Sequence, residues 1–448
     1  MTIVINNGML IDPENKIYSK LNLLIDEGKI QEIAAQPLRG DTEIDAAGLY
    51  VTPGFVDLHM HEDPLTPEGI RIRIFERMLR MGVTTAIGGN CGIGRGDPAT
   101  YLEHVDRGIP VNFGMFLPHE LLRQKVGATD RYAHATPGQI AEMVAIGRKW
   151  MNEAGLMGVS FGIRYVPGAN DTELKEIAKL GAGKTISAHV RDDAANIFPA
   201  IEEFLTLADD VPAHFQISHI GSMAGFGQMA SVYATVDALR AQKHYAVSFD
   251  CYPYAAFSTS IGSTTFDDGF LKRYGIDYEL LEVAEGPHKG ERCTEELFQR
   301  LRKTAPGTMM IAHVMRESEI AFALANPDTV VASDGILGDT GDGHPRAAGT
   351  FPRFLSRYVR DQKICSLFEG IKKITSDPAH ILGIPKGSLG VGDDADIVLF
   401  SLEKLADHAT FAESDLAPEG IYMVIVNGEI ALKKGKIIRT GAGKSVRK

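Results

Sequence analysis

Two histidines one residue apart are the most informative chemical feature of this sequence. His59 and His61 close the segment GFVDLHMH, which follows Thr52-Pro53. Alternate side chains of a β-strand point to the same side, so both imidazoles can reach one metal ion. Paired histidines can equally form the polar face of a strand, so this interpretation depends on the rest of the chain.

Three further polar residues each end a mostly apolar segment that is typical of a buried strand. They are His189 after TISA, His219 after FQIS and Asp334 after TVVAS. A charged group at the end of a buried strand is costly unless it is paired or bound to a metal. Each histidine alone is more typical of a hydrogen-bonded core residue. Together with His59 and His61, they supply the imidazole set that suits zinc.

Cys91 lies in the glycine-rich segment GGNCGIG, where another predicted strand breaks into a loop. An isolated cysteine of this kind is most often an inert buried thiol. Close to Zn²⁺ it would be a thiolate, which two metal ions can share.

The elements that would position these residues alternate between short apolar strands and helical patterns across residues 53–384. Helical patterns include residues 136–152 and 200–208, and the predicted strands end at His61, Asn90, Phe116, Phe161, His189, His219, Asp250 and Asp334. Eight such units predict an α/β protein with a (β/α)8 TIM-like barrel, whose reactive side chains lie at the C-terminal ends of the strands. Residues 254–313 exceed an ordinary loop and predict an insertion over the barrel mouth. The alternative counts the short strand at 309–313 as a barrel strand.

Both ends of the chain contain short segments in which apolar and polar residues alternate, as in β-strands. They lie at residues 2–5, 21–26, 29–33 and 41–45, and again at 395–401, 421–426 and 436–439. Asn427-Gly428 and Lys434-Gly435 are typical of tight hairpin turns. Neither end alone has enough strands to bury a core. We therefore predict one small β-sandwich domain built from residues 1–52 and 385–448, with two unrelated β-tails as the alternative.

The composition excludes several classes of partner. A net charge of −12 argues against nucleic acid, because a phosphate-binding surface needs an excess of basic residues. No apolar run approaches the ~20 residues that cross a bilayer, and the N-terminus lacks the pattern of a secretory signal. The four cysteines are too few and too scattered for a disulfide framework. We expect a cytoplasmic protein with a small-molecule partner, and a homo-oligomer is left open.

The series of motifs resembles the amidohydrolase superfamily, and within it the D-aminoacylases (N-acyl-D-amino-acid deacylases). The resemblance covers nearly the whole chain: PGFVDLHMH at 53–61, GNCG at 89–92, SAHVRD at 187–192, QISHIG at 216–221, DCYPYAAFST at 250–259, ASDG at 332–335, GHPRAAGTFPRFLSRYV at 343–359 and SDPAHILGIPKGSLGVGDDADIVLF at 376–400. It implies a zinc-dependent hydrolase of a C–N amide bond, with an N-acyl-D-amino acid as the first choice of substrate.

The resemblance also implies roles for the metal-binding residues. Cys91, His189 and His219 would form the tighter zinc site, while His59, His61 and Asp334 would surround a weaker second position that Cys91 can bridge. This branch uses a cysteine where most binuclear relatives use a carboxylated lysine on the fourth strand, and residues 158–162 (GVSFG) contain no lysine. The resemblance is compatible with either one or two Zn²⁺ ions bound per chain.

The mechanism implied by these parts uses a metal-bound hydroxide. Zinc lowers the pKa of bound water from about 15.7 towards 7 and polarises the amide carbonyl. Asp334 would be the catalytic general base and would then pass the proton to the departing amine. The alternative for Asp334 is a simple turn aspartate before Gly335.

Substrate recognition is where the sequence departs from the family. Relatives follow the strand-six histidine with another histidine and a lysine that holds the substrate α-carboxylate, whereas this chain has Ile220-Gly221. Arg346, Tyr252 and Ser258 occupy the other substrate-binding positions, and Arg346 can pair with a carboxylate in bidentate fashion or act only as a structural ion-pair partner. Phe257 replaces a family glycine and should narrow the pocket. A cyclic amide (hydantoinase- or dihydropyrimidinase-like activity) or a dipeptide-like amide is therefore the alternative substrate.

Two other functional classes fit the sequence less well. Zinc deaminases on this barrel have a glutamate three residues after the strand-five histidine, where this chain has Asp192. A non-catalytic scaffold would have lost metal ligands, yet all five predicted ligand positions and Asp334 are present.

Overall fold

A computed structural model of the chain describes residues 2–448, which contain 23 β-strands and 14 α-helices. The strands are β1 (Ile3–Asp12), β2 (Ile17–Asp26), β3 (Lys29–Ala34), β4 (Thr42–Asp45), β5 (Tyr50–Pro53), β6 (Phe55–Asp57), β7 (Leu65–Thr66), β8 (Gly69–Ile70), β9 (Val83–Gly88), β10 (Asn112–Met115), β11 (Leu117–Pro118), β12 (Gly158–Gly162), β13 (Thr185–His189), β14 (His214–Ile217), β15 (Ala246–Cys251), β16 (Phe257–Ser260), β17 (Leu281–Val283), β18 (Met309–Ala312), β19 (Thr329–Val331), β20 (Ile397–Phe400), β21 (Ile421–Val426), β22 (Glu429–Lys433) and β23 (Lys436–Ile437). The helices are α1 (Arg73–Arg80), α2 (Pro98–Val105), α3 (His119–Lys125), α4 (Pro137–Ala154), α5 (Asp171–Ala178), α6 (Ile197–Thr206), α7 (Ile220–Ala224), α8 (Met229–Lys243), α9 (Phe270–Tyr274), α10 (Glu295–Thr304), α11 (Glu317–Ala325), α12 (Arg346–Arg353), α13 (Leu367–Lys372) and α14 (Ser376–Leu382).

The strands at the two ends of the chain pair in one nine-stranded sheet. Its order is β23-β22-β21-β20-β5-β1-β2-β3, with β4 added on β1. β5 and β20 join the two ends, since Val51 lies opposite Leu399 in an antiparallel pair. One face buries a separate apolar cluster to which both ends contribute, including Leu10 and Ile425. The alternative of two unrelated β-tails is therefore wrong.

All eight strand regions predicted within residues 53–384 contain parallel strands. They form two sheets, β10-β9-β6 and β11-β12-β13-β14-β15-β19, and helices follow most of the strands, as the predicted α/β class requires. The strands end earlier than predicted at several positions. β6 ends at Asp57, where the sequence predicted His61, and β19 ends at Val331, where it predicted Asp334.

Helix α4 illustrates how the sequence sets these elements. It starts after Thr136, whose hydroxyl accepts from the Gln139 amide in a capping box, and it ends at Gly155 with a φ of 61°. Its inner face buries Ile140 and Trp150, two of the residues that pack it against the parallel strands. None of the helices within residues 2–448 combines the length and the apolarity needed to span a bilayer.

The long segment between β15 and β19 has its own secondary structure. Strands β16, β17 and β18 form an antiparallel sheet in the order β16-β18-β17, accompanied by α9 and α10. Among the described residues β18 pairs with β16 and β17 alone, so Met309–Ala312 is not one of the parallel strands.

Candidate metal centre

His59 and His61 lie just beyond β6 in an extended segment held from both sides. The Met60 amide donates to the Ile87 carbonyl at 3.1 Å, and the His61 amide donates to the Gly335 carbonyl at 2.8 Å. These bonds preserve the strand alternation, so both imidazoles face the same side, with ring centroids 5.7 Å apart. Both side chains are buried.

Cys91, His219 and Asp334 share a left-handed backbone conformation just after a strand. Their φ angles are 52°, 34° and 46°. Such a conformation costs a non-glycine residue roughly 1–2 kcal/mol and persists only where the surrounding structure enforces it. The turn directs the three side chains towards one another.

The donor atoms of these residues converge in two groups that share His59. Cys91 Sγ lies 3.3 Å from His59 Nε2 and 3.4 Å from His219 Nε2. Asp334 Oδ1 lies 3.1 Å from His61 Nε2 and 3.5 Å from His59 Nε2. The groups are Cys91 with His59 and His219, and Asp334 with His59 and His61, each with its donor atoms within 4.8 Å of one another.

His189 borders these groups without joining either of them. Its ring centroid lies 4.5 Å from that of His219, and neither ring nitrogen has a hydrogen-bond partner although both are buried. Burial and the neighbouring His219 lower the pKa of His189 to about 4. The imidazole is therefore neutral, which is the form that binds metal ions.

The charges of the site favour the metal-binding forms of its acids. Burial opposes ionisation of Cys91, but His59 and His219 hold the pKa of its thiol well below the ordinary value. Burial likewise opposes ionisation of Asp334, but Arg346 and His219 keep the pKa of that carboxyl well below its usual range. A thiolate and a carboxylate thus lie within one buried cluster of histidines.

Two side chains behind the cluster fix the orientation of its imidazoles. Asp250 Oδ2 lies 3.2 Å from His59 Nδ1, and the other carboxylate oxygen of Asp250 accepts from the His219 amide at 2.8 Å. Ser222 Oγ lies 3.0 Å from His219 Nδ1. Such partners hold a ligand's Nε2 towards the metal. Neither role was predicted from the sequence, although an aspartate near the end of a mostly apolar strand was a usable signal for Asp250.

The residues predicted to bind the substrate also meet at this site. The Arg346 guanidinium lies 4.7 Å from the Tyr252 ring centroid and donates to the Ser258 carbonyl at 3.2 Å. Its partner in this structure is Asp334, with 2.9 Å between Arg346 Nη1 and Asp334 Oδ2. The Tyr252 hydroxyl and Ser258 Oγ are buried without a hydrogen-bond partner, so both can still donate to a ligand.

Gly221, at the position where the resemblance implies a lysine, has a packing reason to be glycine. A Cβ at this position would lie 2.8 Å from Ile320 Cδ1 and 3.1 Å from Cys251 Sγ. The position therefore points towards the core, and Ser222 lines the cavity beside the metal centre. Phe257 lines the same cavity, as expected if it narrows the pocket.

Comparison with known proteins shows which family the chain belongs to. A model of the amidohydrolase family, Amidohydro_3, matches residues 298–432. The chain is 30% identical to a D-aminoacylase of Alcaligenes xylosoxydans xylosoxydans, over 95% of this chain and 93% of the relative. It is 29% identical to the N-acyl-D-glutamate deacylase of the same organism, over 96% and 93%.

Solved structures give the same result. A D-aminoacylase crystal structure superposes with a TM-score of 0.87 at 26% identity, covering 100% of this chain and 99% of that one. The N-acyl-D-glutamate deacylase of Bordetella bronchiseptica, complexed with zinc and a phosphonate inhibitor, superposes with a TM-score of 0.86 at 27% identity and the same coverage. Fold and relatives define an amidohydrolase, an enzyme that hydrolyses C–N amide bonds. Within that superfamily the chain belongs to the D-aminoacylase branch.

Proposed function

We propose that this protein is a zinc-dependent deacylase that cleaves the amide bond of an N-acyl-D-amino acid. The observation that carries the proposal is the buried cluster in which Cys91 and Asp334 share His59 between them. Relatives with the same overall fold carry the names D-aminoacylase and N-acyl-D-glutamate deacylase, which supports this substrate class.

The donor set fits zinc. Thiolate sulfur and imidazole nitrogen are the ligands that zinc prefers, and a carboxylate oxygen completes its usual choices. His189, with two unpartnered buried nitrogens, is the further imidazole at the edge of the cluster. We propose Cys91, His189 and His219 as ligands of the tighter site, and His59, His61 and Asp334 as ligands of the second.

The residues of the chain divide the remaining work between them. When bound, zinc activates a water molecule and polarises the substrate carbonyl. Asp334, kept ionised beside Arg346, takes a proton from the water and returns it to the amide nitrogen, because an amine anion is a poor leaving group. Arg346, Tyr252 and Ser258 hold the α-carboxylate and so fix the position of the amide bond.

We also propose that the parallel strands close into one eight-stranded barrel. Phe116 alone separates β10 from β11, and a parallel bridge between Met60 and Gly335 links the two remaining edges, which supports closure. Residues 53–384 would form this barrel, with the insertion at 254–313 over its mouth. Residues 1–52 and 385–448 would form the β-sandwich domain. None of the four cysteines within residues 2–448 is in a disulfide, which supports the cytoplasm as the compartment.

The decisive experiment is a hydrolysis screen with the zinc-loaded protein. The panel contains N-acetyl-D- and N-acetyl-L-amino acids, hydantoin, dihydrouracil and D-dipeptides. We expect N-acetyl-D-amino acids to be hydrolysed fastest, and Asp334→Asn to lose roughly 100- to 10,000-fold in kcat because a proton-transfer group is removed. Asp237→Asn, on the exposed face of α8, is the matched control and should retain full activity. Turnover of the cyclic amides alone would replace the proposal with a hydantoinase-like activity.

A further inference from the structure

Two cavities of unequal size meet at the metal centre. The smaller is lined by His189, His219 and Tyr252. The larger is lined by His61, among other residues. Both are lined by Tyr165, Ser258, Thr259, Asp334 and Arg346. If the scissile amide bond lies where the two cavities meet, the amine half of the substrate occupies one cavity and the acyl half occupies the other.

The amine half fits the smaller cavity. Its α-carboxylate needs hydrogen-bond donors, and Tyr252, whose buried hydroxyl lacks a partner, lines that cavity and not the larger one. Phe257 and Met223 line the same cavity and restrict the size of the amino-acid side chain that it accepts. The acyl half then extends into the larger cavity, which has space far beyond an acetyl group.

The wall of the larger cavity carries unpaired positive charge. Arg95 and Arg131 both line it, and among residues 2–448 neither side chain forms an ion pair. The Arg131 guanidinium has one long contact, 3.4 Å to the Gly262 carbonyl. The carboxyls that line the cavity are Glu120 and Asp334, and Asp334 is already paired with Arg346. Burial raises the pKa of the Glu120 carboxyl, the charge of Arg131 opposes this rise, and the two side chains form no ion pair in the described residues.

From this arrangement we infer that the natural substrate carries an anionic group at the far end of its acyl chain, bound by Arg95 and Arg131. This inference rests on the proposed deacylase function and specifies its substrate as the monoamide of a dicarboxylic acid, such as an N-succinyl- or N-glutaryl-D-amino acid. A guanidinium pairs with a carboxylate in bidentate geometry, which suits this role. Hydrolysis breaks the C–N bond, adds one water, and releases the D-amino acid and a dicarboxylate.

The test compares acyl chains of matched length on one amino acid. N-succinyl- and N-glutaryl-D-alanine are set against N-butanoyl- and N-pentanoyl-D-alanine, with N-acetyl-D-alanine as the basal substrate. We expect the charged chains to have a kcat/KM about tenfold or more above that of the uncharged chains, as for a charge-assisted pair. Raising the salt concentration should reduce this preference, since exposed charges are screened.

Variants of Arg95 and Arg131 test whether these two residues cause the preference for charged acyl chains. Arg95→Gln combined with Arg131→Gln should abolish the preference for charged chains while hydrolysis of N-acetyl-D-alanine stays the same. Arg148→Gln, on the exposed face of α4, is the control and should keep the preference. Equal kcat/KM for charged and uncharged acyl chains, or a preference that survives the double substitution, would overturn this inference and leave the proposed deacylase function intact. Failure to hydrolyse any N-acyl-D-alanine together with failure on the wider screen would overturn the proposed function itself.

Discussion

Cys91 carries the strictest chemical requirement of any residue in the proposed site. Its sulfur lies within 3.4 Å of two imidazole nitrogens, and the cationic character of its neighbours favours the thiolate. We expect Cys91→Ala to lose most of the bound zinc, because alanine offers no ligand to either position. Elemental analysis of the purified protein gives the zinc content per chain.

Cys251 provides the matched control for this prediction. It is also a buried cysteine, but burial raises the pKa of its thiol, so it stays protonated. Cys251→Ala should keep the zinc content of the unmodified protein. In cobalt-substituted protein, the thiolate-to-metal absorption band should be absent from Cys91→Ala and present in Cys251→Ala. Full zinc occupancy in Cys91→Ala would rule out the thiolate as a ligand.

Residue types and spacing predicted the groups with intrinsic metal chemistry, but not the residues that act through them. The His-x-His pair and the strand-end residues His189, His219 and Asp334 are recognisable because polar groups are costly where strands are buried. Ser222 looks like an ordinary polar residue in the sequence, since its importance depends on the histidine nitrogen that it contacts. Gly221 shows the same limit, because its packing against Ile320 follows from the tertiary fold.

At the scale of the element, the loop that carries Cys91 is held by buried polar side chains. The Glu62 carboxylate accepts from the Gly89 amide at 2.8 Å and from the Arg95 amide at 3.1 Å, at the two ends of the loop. Ser160 Oγ accepts from the Gly92 amide at 3.1 Å and donates to the Gly89 carbonyl. These bonds support the left-handed conformation of Cys91 between them.

Glu62→Gln should therefore weaken zinc binding without removing a ligand. The amide keeps one acceptor but presents an N–H where the carboxylate accepted a second backbone bond. We expect the dissociation constant for zinc to rise about 10- to 100-fold, as for other residues that orient ligands. Competition with a chelator measures this constant, and the cobalt–thiolate band should shift while the circular dichroism spectrum stays the same.

Glu103→Gln, on the exposed face of α2, is the corresponding control and should bind zinc normally. If Glu62→Gln matches that control in affinity and in spectrum, the loop does not need the carboxylate to position its cysteine.

The hydrophobic periodicity of the sequence predicted the type and order of the secondary-structure elements better than the residues at which they begin and end. Alternation and apolar runs identified most of the strands, but seven short ones were missed because segments of two to five residues show too little of the pattern: β5, β7, β8, β11, β16, β17 and β22. The ends of β6 and β19 were placed too late because apolar residues continue past the last ladder bond. The pairing of β18 within the insertion depends on contacts distant in sequence, which local pattern does not encode.

At the scale of the whole molecule, one buried aspartate joins the terminal sheet to the parallel strands. Asp396, next to β20, lies 2.7 Å from Lys386 Nζ and accepts from the Asn112 side-chain amide at 3.0 Å, in β10. Its other oxygen accepts from the Asn427 amide at 2.8 Å, in the turn between β21 and β22. The sequence predicted that both ends of the chain would join, but not that a polar junction would attach them to the centre.

Asp396→Ala should lower the free energy of unfolding by about 3 kcal/mol, because it leaves the Asn112 side-chain amide without its acceptor and leaves Lys386 paired with the partly exposed Asp394 alone. Asp394→Ala is the matched control: Asp394 also pairs with Lys386, at 2.8 Å, but its side chain is 31% exposed. An exposed pair contributes about 1 kcal/mol or less, so this variant should lose correspondingly little. Urea unfolding followed by circular dichroism and by the fluorescence of Trp150, the single tryptophan, measures both effects. A smaller loss for Asp396→Ala than for Asp394→Ala would show that the junction is held by its apolar contacts and not by the buried carboxylate.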